Sequence, residues 1–342
     1  MSRPHQNLDV LAVGTLTFDV VEAPDGSVAE SLGGSAAFAA AGAARWGSVR
    51  MLGVVGPDYP VGALDDLRSM GIDTGGVRSS DRPTQRWHAR YGGPGGGRTT
   101  VSSDRRILSD FRPVLSGKER RAGALLLGSV HPDVQRHVLE QWAGATDDRS
   151  GTGATLPPAG PSTVAGRVVA LDSMMHWIEE WEESLRIILP SVTFLFGTTD
   201  ELMALAGSPS AESAASALLN QGPRAIIEKR GAAGARAYYR VPGPTQPPQG
   251  TASRPLQEKD RIEVASIPAV PTTTVDPTGA GDAFCGGFLG HWLRHRASQG
   301  GTHRLEAAPV HEALGAGAQA GARAVSAPSW EGLSRGGSGL PR

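Results

Sequence analysis

The residues with the clearest chemical potential stand in the C-terminal run Thr274-Val-Asp-Pro-Thr-Gly-Ala-Gly-Asp-Ala-Phe-Cys-Gly-Gly-Phe288. Val275 closes an extended segment, Pro277 disfavours the helical region for Asp276, and small and apolar residues recur at helical spacing from Ala283 onward. Gly279 and Gly281 therefore lie where extended chain turns into a helix N-terminus. Backbone N–H groups there have no acceptor inside the helix, and the helix dipole adds roughly half a positive charge. Glycine also lets the main chain approach a ligand closely. Gly279, Ala280 and Gly281 thus form an anion site suited to a phosphate, or to charge building on a phosphoryl group in transfer. Asp282, in the first turn, is placed to accept the proton of an attacking hydroxyl. Taken alone, the same residues also read as a plain loop followed by a favourable first-turn acid. No Gly-Lys-Ser/Thr follows, so this is not a Walker loop.

The elements that must position this run alternate between strand and helix. Asp9–Gly14 is a continuous apolar strand, and Gly33-Gly34 opens an alanine-rich helix over Ser35–Trp46 that Ser35 could cap. Val49–Val55 reads as a strand and Gly62–Met70 as a helix stopped at Gly71. From Gly75 to Phe111 short alternations surround Gly92-Gly-Pro-Gly-Gly-Gly97, the pattern of two or three antiparallel strands forming a separate small sheet or flap. Strand and helix then alternate again: strands at 124–128, 167–172, 192–196 and 224–229, helices at 132–142, 178–189, 200–206 and 211–220. This order predicts a three-layer α/β domain over residues 8–330, with a central, mostly parallel sheet and residues 75–111 as a β lid. Residues 144–166 and 241–256 are rich in Gly, Pro, Ser and Thr and read as mobile surface insertions.

Composition narrows the function classes. With 33 basic and 34 acidic side chains the formal charge is −1, so no bulk attraction to nucleic acid or an anionic membrane is expected. No run of apolar residues is long enough to span a bilayer, and Met1–Asp9 is polar, which predicts a cytoplasmic protein. A single cysteine, Cys285, excludes a disulfide framework and a cysteine-rich metal site, and reads as a packing residue. His291 and His295, flanked by Arg294 and Arg296, read as a solvated helix end rather than a metal site.

At this point Asp276-Pro-Thr-Gly-Ala-Gly-Asp282-Ala-Phe with its glycine-rich helix resembles the C-terminal signature of the PfkB/ribokinase family of carbohydrate and nucleoside kinases. Further segments agree in order. Val13-Gly14 followed by Asp19 resembles the family's opening strand and its sugar-binding aspartate, Gly33-Gly34 with the alanine helix its N-terminal signature, and Glu228-Lys-Arg-Gly-Ala-Ala-Gly234 its nucleotide loop. The resemblance implies ATP as phosphoryl donor, Mg²⁺, and in some members K⁺. It also implies Asp282 as catalytic base and the amides of Gly279, Ala280 and Gly281 as anion hole. Asp19, Gly33 and Gly34 would hold substrate hydroxyls, and Lys229, Gly231, Gly234 and Thr278 would border the nucleotide. Glu201 would organise Mg²⁺ through water, and Asp276 would neighbour a monovalent cation.

Three positions depart from that pattern. Thr198 holds the place of an asparagine, replacing an amide donor and acceptor by a hydroxyl. Phe38 replaces a substrate-contacting asparagine by an aromatic face, which either stacks on a ring or packs the helix. Ala318 replaces an asparagine near the adenine. On the flap, Trp87 and Ala89 share one face and His88 and Arg90 the other, without indicating which looks inward. The Trp87 segment, Ser109–Pro113 and Asp172–Trp177 are similar to a subgroup of PfkB-like proteins labelled only as sugar kinases. The expected reaction is ATP-dependent phosphorylation of a hydroxyl, a CH₂OH group, on a sugar or sugar-like molecule. The alternatives are a nucleoside kinase using Phe38 and Trp87 against a base, and a catalytically weak ligand-binding relative. Pairing of two copies through the lid is implied by resemblance only.

Overall fold

The computed structural model describes residues 9–92, 98–144, 167–241, 261–299 and 305–334. Its strands are β1 (Val10–Val13), β2 (Thr17–Glu22), β3 (Val28–Gly33), β4 (Val49–Val55), β5 (Ile72–Ser79), β6 (Gln85–Tyr91), β7 (Arg98–Asp104), β8 (Ala124–Leu127), β9 (Val168–Asp172), β10 (Phe194–Thr198), β11 (Ala225–Lys229), β12 (Ala235–Val241) and β13 (Arg261–Ile267). The helices are α1 (Ser35–Ala44), α2 (Val61–Ser69), α3 (Gly117–Arg120), α4 (Pro132–Ala143), α5 (Met175–Ile188), α6 (Thr199–Ala206), α7 (Ala211–Leu219), α8 (Ala280–Ser298), α9 (Ala307–Ala324) and α10 (Glu331–Ser334).

Nine strands form the central sheet in the order β13-β12-β11-β10-β9-β8-β1-β4-β5. From β5 to β11 every pairing is parallel, and β12 and β13 add an antiparallel edge. The parallel strands are apolar on both faces, as burial under helices requires. Alternate residues separate into two cores: Val10, Ala12, Leu126 and Ala170 pack toward α1, α8 and α9. Leu11, Val13, Leu125 and Leu171 pack toward α4, α5 and α7. This is the three-layer architecture that the strand-helix alternation predicts. Small residues bring α1 and α8 unusually close, since a Cβ at Gly42 or Gly286 would strike backbone of the facing helix.

The small sheet differs from its expected bounds. Its order is β3-β2-β6-β7, so half of it comes from residues 17–33 rather than from 75–111. Residues 75–79, expected in the flap, instead belong to β5, which pairs in parallel with β4 and alternates Ile72, Thr74 and Gly76 into the core. Residues 106–110 form a 3₁₀ turn. The pairing of β2 with β6 is parallel and joins distant segments, a long-range contact that local alternation does not reveal. Of the stretches 144–166 and 241–256, read as mobile insertions, residues 145–166 and 242–256 lie outside the described residues. His291, expected in solvent, packs edge-on against Trp46 at 4.8 Å, so that reading is corrected to a helix-packing role.

Candidate active site

Parallel sheets leave a crevice beyond the carboxyl ends of their strands, and ligands bind there. Asp172, Thr198 and Lys229 close β9, β10 and β11 at that edge, and the N-terminus of α8 meets the same edge. Gly279 is the N-cap of α8 in the left-handed conformation (φ 71°, ψ 0°), which a Cβ would strain. A Cβ there would also overlap the ring of Phe38. The first helical bond runs from the Ala283 amide to the Gly279 carbonyl (2.9 Å), so the amides at Ala280, Gly281 and Asp282 open the helix. Asp282 is half-buried in this first turn.

The preceding loop is braced at Asp276. Its Oδ1 accepts the Thr278 amide (2.9 Å), and its Oδ2 accepts the Ser31 hydroxyl (3.0 Å). The second bond ties the small sheet to the Asp276–Asp282 run. Register then shows which residues of that sheet share the face of the Ser31 contact. Ser31, Asp19, Trp87 and Ser103 are successive partners across β3, β2, β6 and β7, so Trp87 and Asp19 share a face with the Ser31 contact. The opposite face carries Arg86 over Phe18 (4.3 Å) and His88 against Glu22 (2.8 Å).

Asp19 is buried at 3% exposure, with Thr17 Oγ1 donating to its Oδ1 (2.6 Å). A Cβ at Gly33 would occupy the space of this carboxylate, which accounts for a glycine opposite it. Gly34 caps α1 with φ 113°, so Ser35 is the first helical residue rather than the cap. Its hydroxyl instead donates to the Ser129 carbonyl (3.0 Å) and accepts the Thr15 amide (3.0 Å), pinning α1 to the ends of β1 and β8. Trp87 is half-buried, its indole N–H donating to Thr100 Oγ1 (3.3 Å).

Other expected positions fall differently. Phe38 is 1% exposed, enclosed by Gly279 and by Trp330 in an edge contact (6.3 Å). Of the two roles left open for it, packing holds, because its faces are covered. Thr198 and Glu201 form a capping box at α6: the Glu201 amide donates to Thr198 Oγ1 (3.3 Å) and the Thr198 amide to Glu201 Oε2 (2.8 Å). Gly231 opens an exposed 3₁₀ turn at φ 53°, and Gly234 (φ 88°) lies against the end of β13. Thr278 is buried, and its hydroxyl meets no partner among the described atoms. Ala318 is partly buried against the α8 side of the core.

Lys229 points away from the loop that follows it. Its ammonium donates to both oxygens of Asp172 (2.7 and 2.8 Å) and stands 3.2 Å from where a Cβ on Gly281 would lie. Burial pushes its pKa down, but Asp172 above all, with Glu201 and Asp282, raises it above the ordinary lysine value. Burial pushes Asp172 up against the pull of Lys229, and the bidentate contact identifies the pair as ionic. Burial, with Asp172 next in size, raises the Cys285 thiol, so this cysteine is an inert packing residue. Asp172 and Ser31 were not singled out by sequence. An acid closing an apolar strand at the carboxyl edge was the available signal for Asp172, and nothing local marked Ser31. Among the described residues no three His, Cys, Asp or Glu side chains are grouped to hold a metal ion, and no helix is long and apolar enough to cross a membrane.

Comparison with known proteins agrees with this fold. A cytidine kinase from Thermococcus kodakarensis is 25% identical over 297 residues, covering 84% of this chain and 90% of that protein. Adenosine kinase from Sinorhizobium meliloti superposes with a TM-score of 0.67 at 16% identity, covering 96% of this chain and 98% of the other. Ribokinase from Cryptococcus neoformans in complex with ADP gives 0.65 at 18%, covering 96% of each chain. Aminoimidazole riboside kinase from Salmonella enterica, complexed with aminoimidazole riboside and an ATP analogue, gives 0.63 at 20%, covering 95% and 96%. These structures share the fold. The profile of the pfkB family carbohydrate kinases matches residues 7–331, nearly the whole fold described above, and the chain belongs to that family.

Proposed function

We propose that this ATP-dependent kinase phosphorylates a CH₂OH group of a sugar or nucleoside, with Asp282 as general base. The reaction is ATP + R–CH₂OH → R–CH₂O–PO₃²⁻ + ADP + H⁺. The supporting observation is the left-handed Gly279 cap, which starts α8 with its amides at the carboxyl edge of the sheet and sets Asp282 in the first turn. Asp282 accepts the hydroxyl proton, while the Gly279, Ala280 and Gly281 amides receive the charge of the transferring group. Asp19 holds acceptor hydroxyls, with Gly33 and Gly34 leaving room for them.

The chemistry of the edge fits a phosphate donor. Thr278 offers a buried hydroxyl beside the turn that still needs a partner. Mg²⁺ retains several waters and takes one or two carboxylates, so Glu201, with Oε2 engaged in its capping box, would hold the ion through water. An ion held there would supply positive charge against the phosphates of the donor. A monovalent cation beside Asp276 would share the oxygens that Ser31 and Thr278 already occupy.

A nucleoside acceptor is the second reading. It is favoured by the register that sets the Trp87 indole beside Asp19 on one face, and by the likeness to a cytidine kinase. ADP release across sugars and nucleosides tests both readings. Turnover with at least one acceptor is expected, whereas turnover no higher than that of Asp282→Asn throughout a broad panel would favour a ligand-binding relative.

A further inference from the structure

Lys229 has a place that the sequence pattern did not suggest. It belongs to the segment expected along the nucleotide, yet its side chain turns under the catalytic helix and is only 14% exposed. Its ammonium lies beneath Gly281, the second glycine of the anion turn. Three carboxylates act on it, from Asp172, Glu201 and Asp282. Such a cluster would repel an incoming phosphate. A neutral apolar pair could join β9 to β11 with less desolvation than a buried lysine and aspartate. The position of the cation therefore calls for a reason beyond holding two strands.

We propose that Lys229 is a positioning residue for phosphoryl transfer: held by Asp172, it fixes the Gly279–Gly281 turn from below and adds positive potential to its amides. The inference rests on the kinase reading above. No bond is made or broken at Lys229. It stays protonated while the turn receives charge.

The test separates charge from strand bracing. Lys229→Met and Asp172→Asn both break the same ion pair, but only the first removes the cation. Nucleotide binding is followed calorimetrically with ADP and with AMP-PNP, alongside melting temperature and steady-state kinetics with the best acceptor of the panel. Lys229→Met is expected to lower kcat by about 10–100-fold and to weaken AMP-PNP more than ADP. Asp172→Asn keeps the Lys229 ammonium but loosens its hold, and should lower kcat less than Lys229→Met does, even where its melting temperature falls as far. Equal losses of kcat in the two variants would overturn the proposal, as would unchanged kcat in Lys229→Met. If Lys229→Met does not fold, Lys229→Gln takes its place under the same criteria. Failure of the wild-type protein to bind AMP-PNP or turn over would instead refute the kinase reading.

Discussion

The contact between Gly279 and Phe38 makes a quantitative prediction about what supports the Gly279–Gly281 turn. Replacing Gly279 by Ala has two separable costs. The first is the left-handed backbone at φ 71°, worth about 1–2 kcal/mol for a residue with a Cβ. The second is overlap, because the new Cβ would meet three ring carbons of Phe38 at little over half the roughly 3.5–4.0 Å that carbon atoms prefer. With Phe38 1% exposed, the ring has no open side into which to retreat, and overpacking of this kind costs about 1–3 kcal/mol. Gly279→Ala should therefore destabilise by about 2–5 kcal/mol. In a Phe38→Leu background the overlap is relieved, and the same substitution should cost about 1–2 kcal/mol. A double-mutant cycle read from urea midpoints should give a coupling of about 1–3 kcal/mol. Costs that agree within about 0.5 kcal/mol in both backgrounds would refute the reasoning that Phe38 is the floor of this turn.

Other consequences follow from the same geometry. Ser31→Ala removes the hydroxyl that the Asp276 carboxylate accepts, and should destabilise by about 1–2 kcal/mol in chemical denaturation. The acceptor KM should rise with it, since the small sheet loses a tie to the Asp276–Asp282 run; an unchanged KM would show that this tie does not set substrate binding. His131 accepts the Asp133 amide on Nδ1 (3.2 Å) and lies edge-on to Trp181 at 4.3 Å. Burial, the largest influence, outweighs Asp133 and holds its pKa below the ordinary value, so the unfolded chain takes up a proton first. This contribution to stability is present above pH about 6.5 and lost as pH falls through the lower folded value. The melting temperature should drop between pH about 7.5 and 5.5, and His131→Asn, which keeps an acceptor, should flatten that slope. An equal slope in the variant would contradict the assignment.

Much of the central domain was legible because its strands are short apolar runs bounded by glycine or by helices with capping signals. Asp276–Asp282 was legible for a similar reason, since proline, two glycines and a first-turn acid impose a local conformation whatever the remaining chain does. The small sheet was not. Thr17–Glu22 pairs with Val28–Gly33 and then with Gln85–Tyr91, and only the folded topology brings the second pair together. The direction of Lys229 was equally hidden: the loop pattern located the residue, but its partner Asp172 lies 57 positions away. Phe38 shows the converse. Its two roles were indistinguishable by residue type, and the close approach of Gly279 decided between them.

The central claim is that the Asp282 carboxylate takes the acceptor's proton beside the amides of the α8 N-terminus. It is tested most directly by comparing Asp282→Asn with the wild type in both turnover and AMP-PNP affinity. The account predicts a kcat lowered by about 10²–10⁴-fold with affinity preserved within about threefold. Turnover retained within about tenfold by a folded, nucleotide-binding Asp282→Asn protein would contradict it.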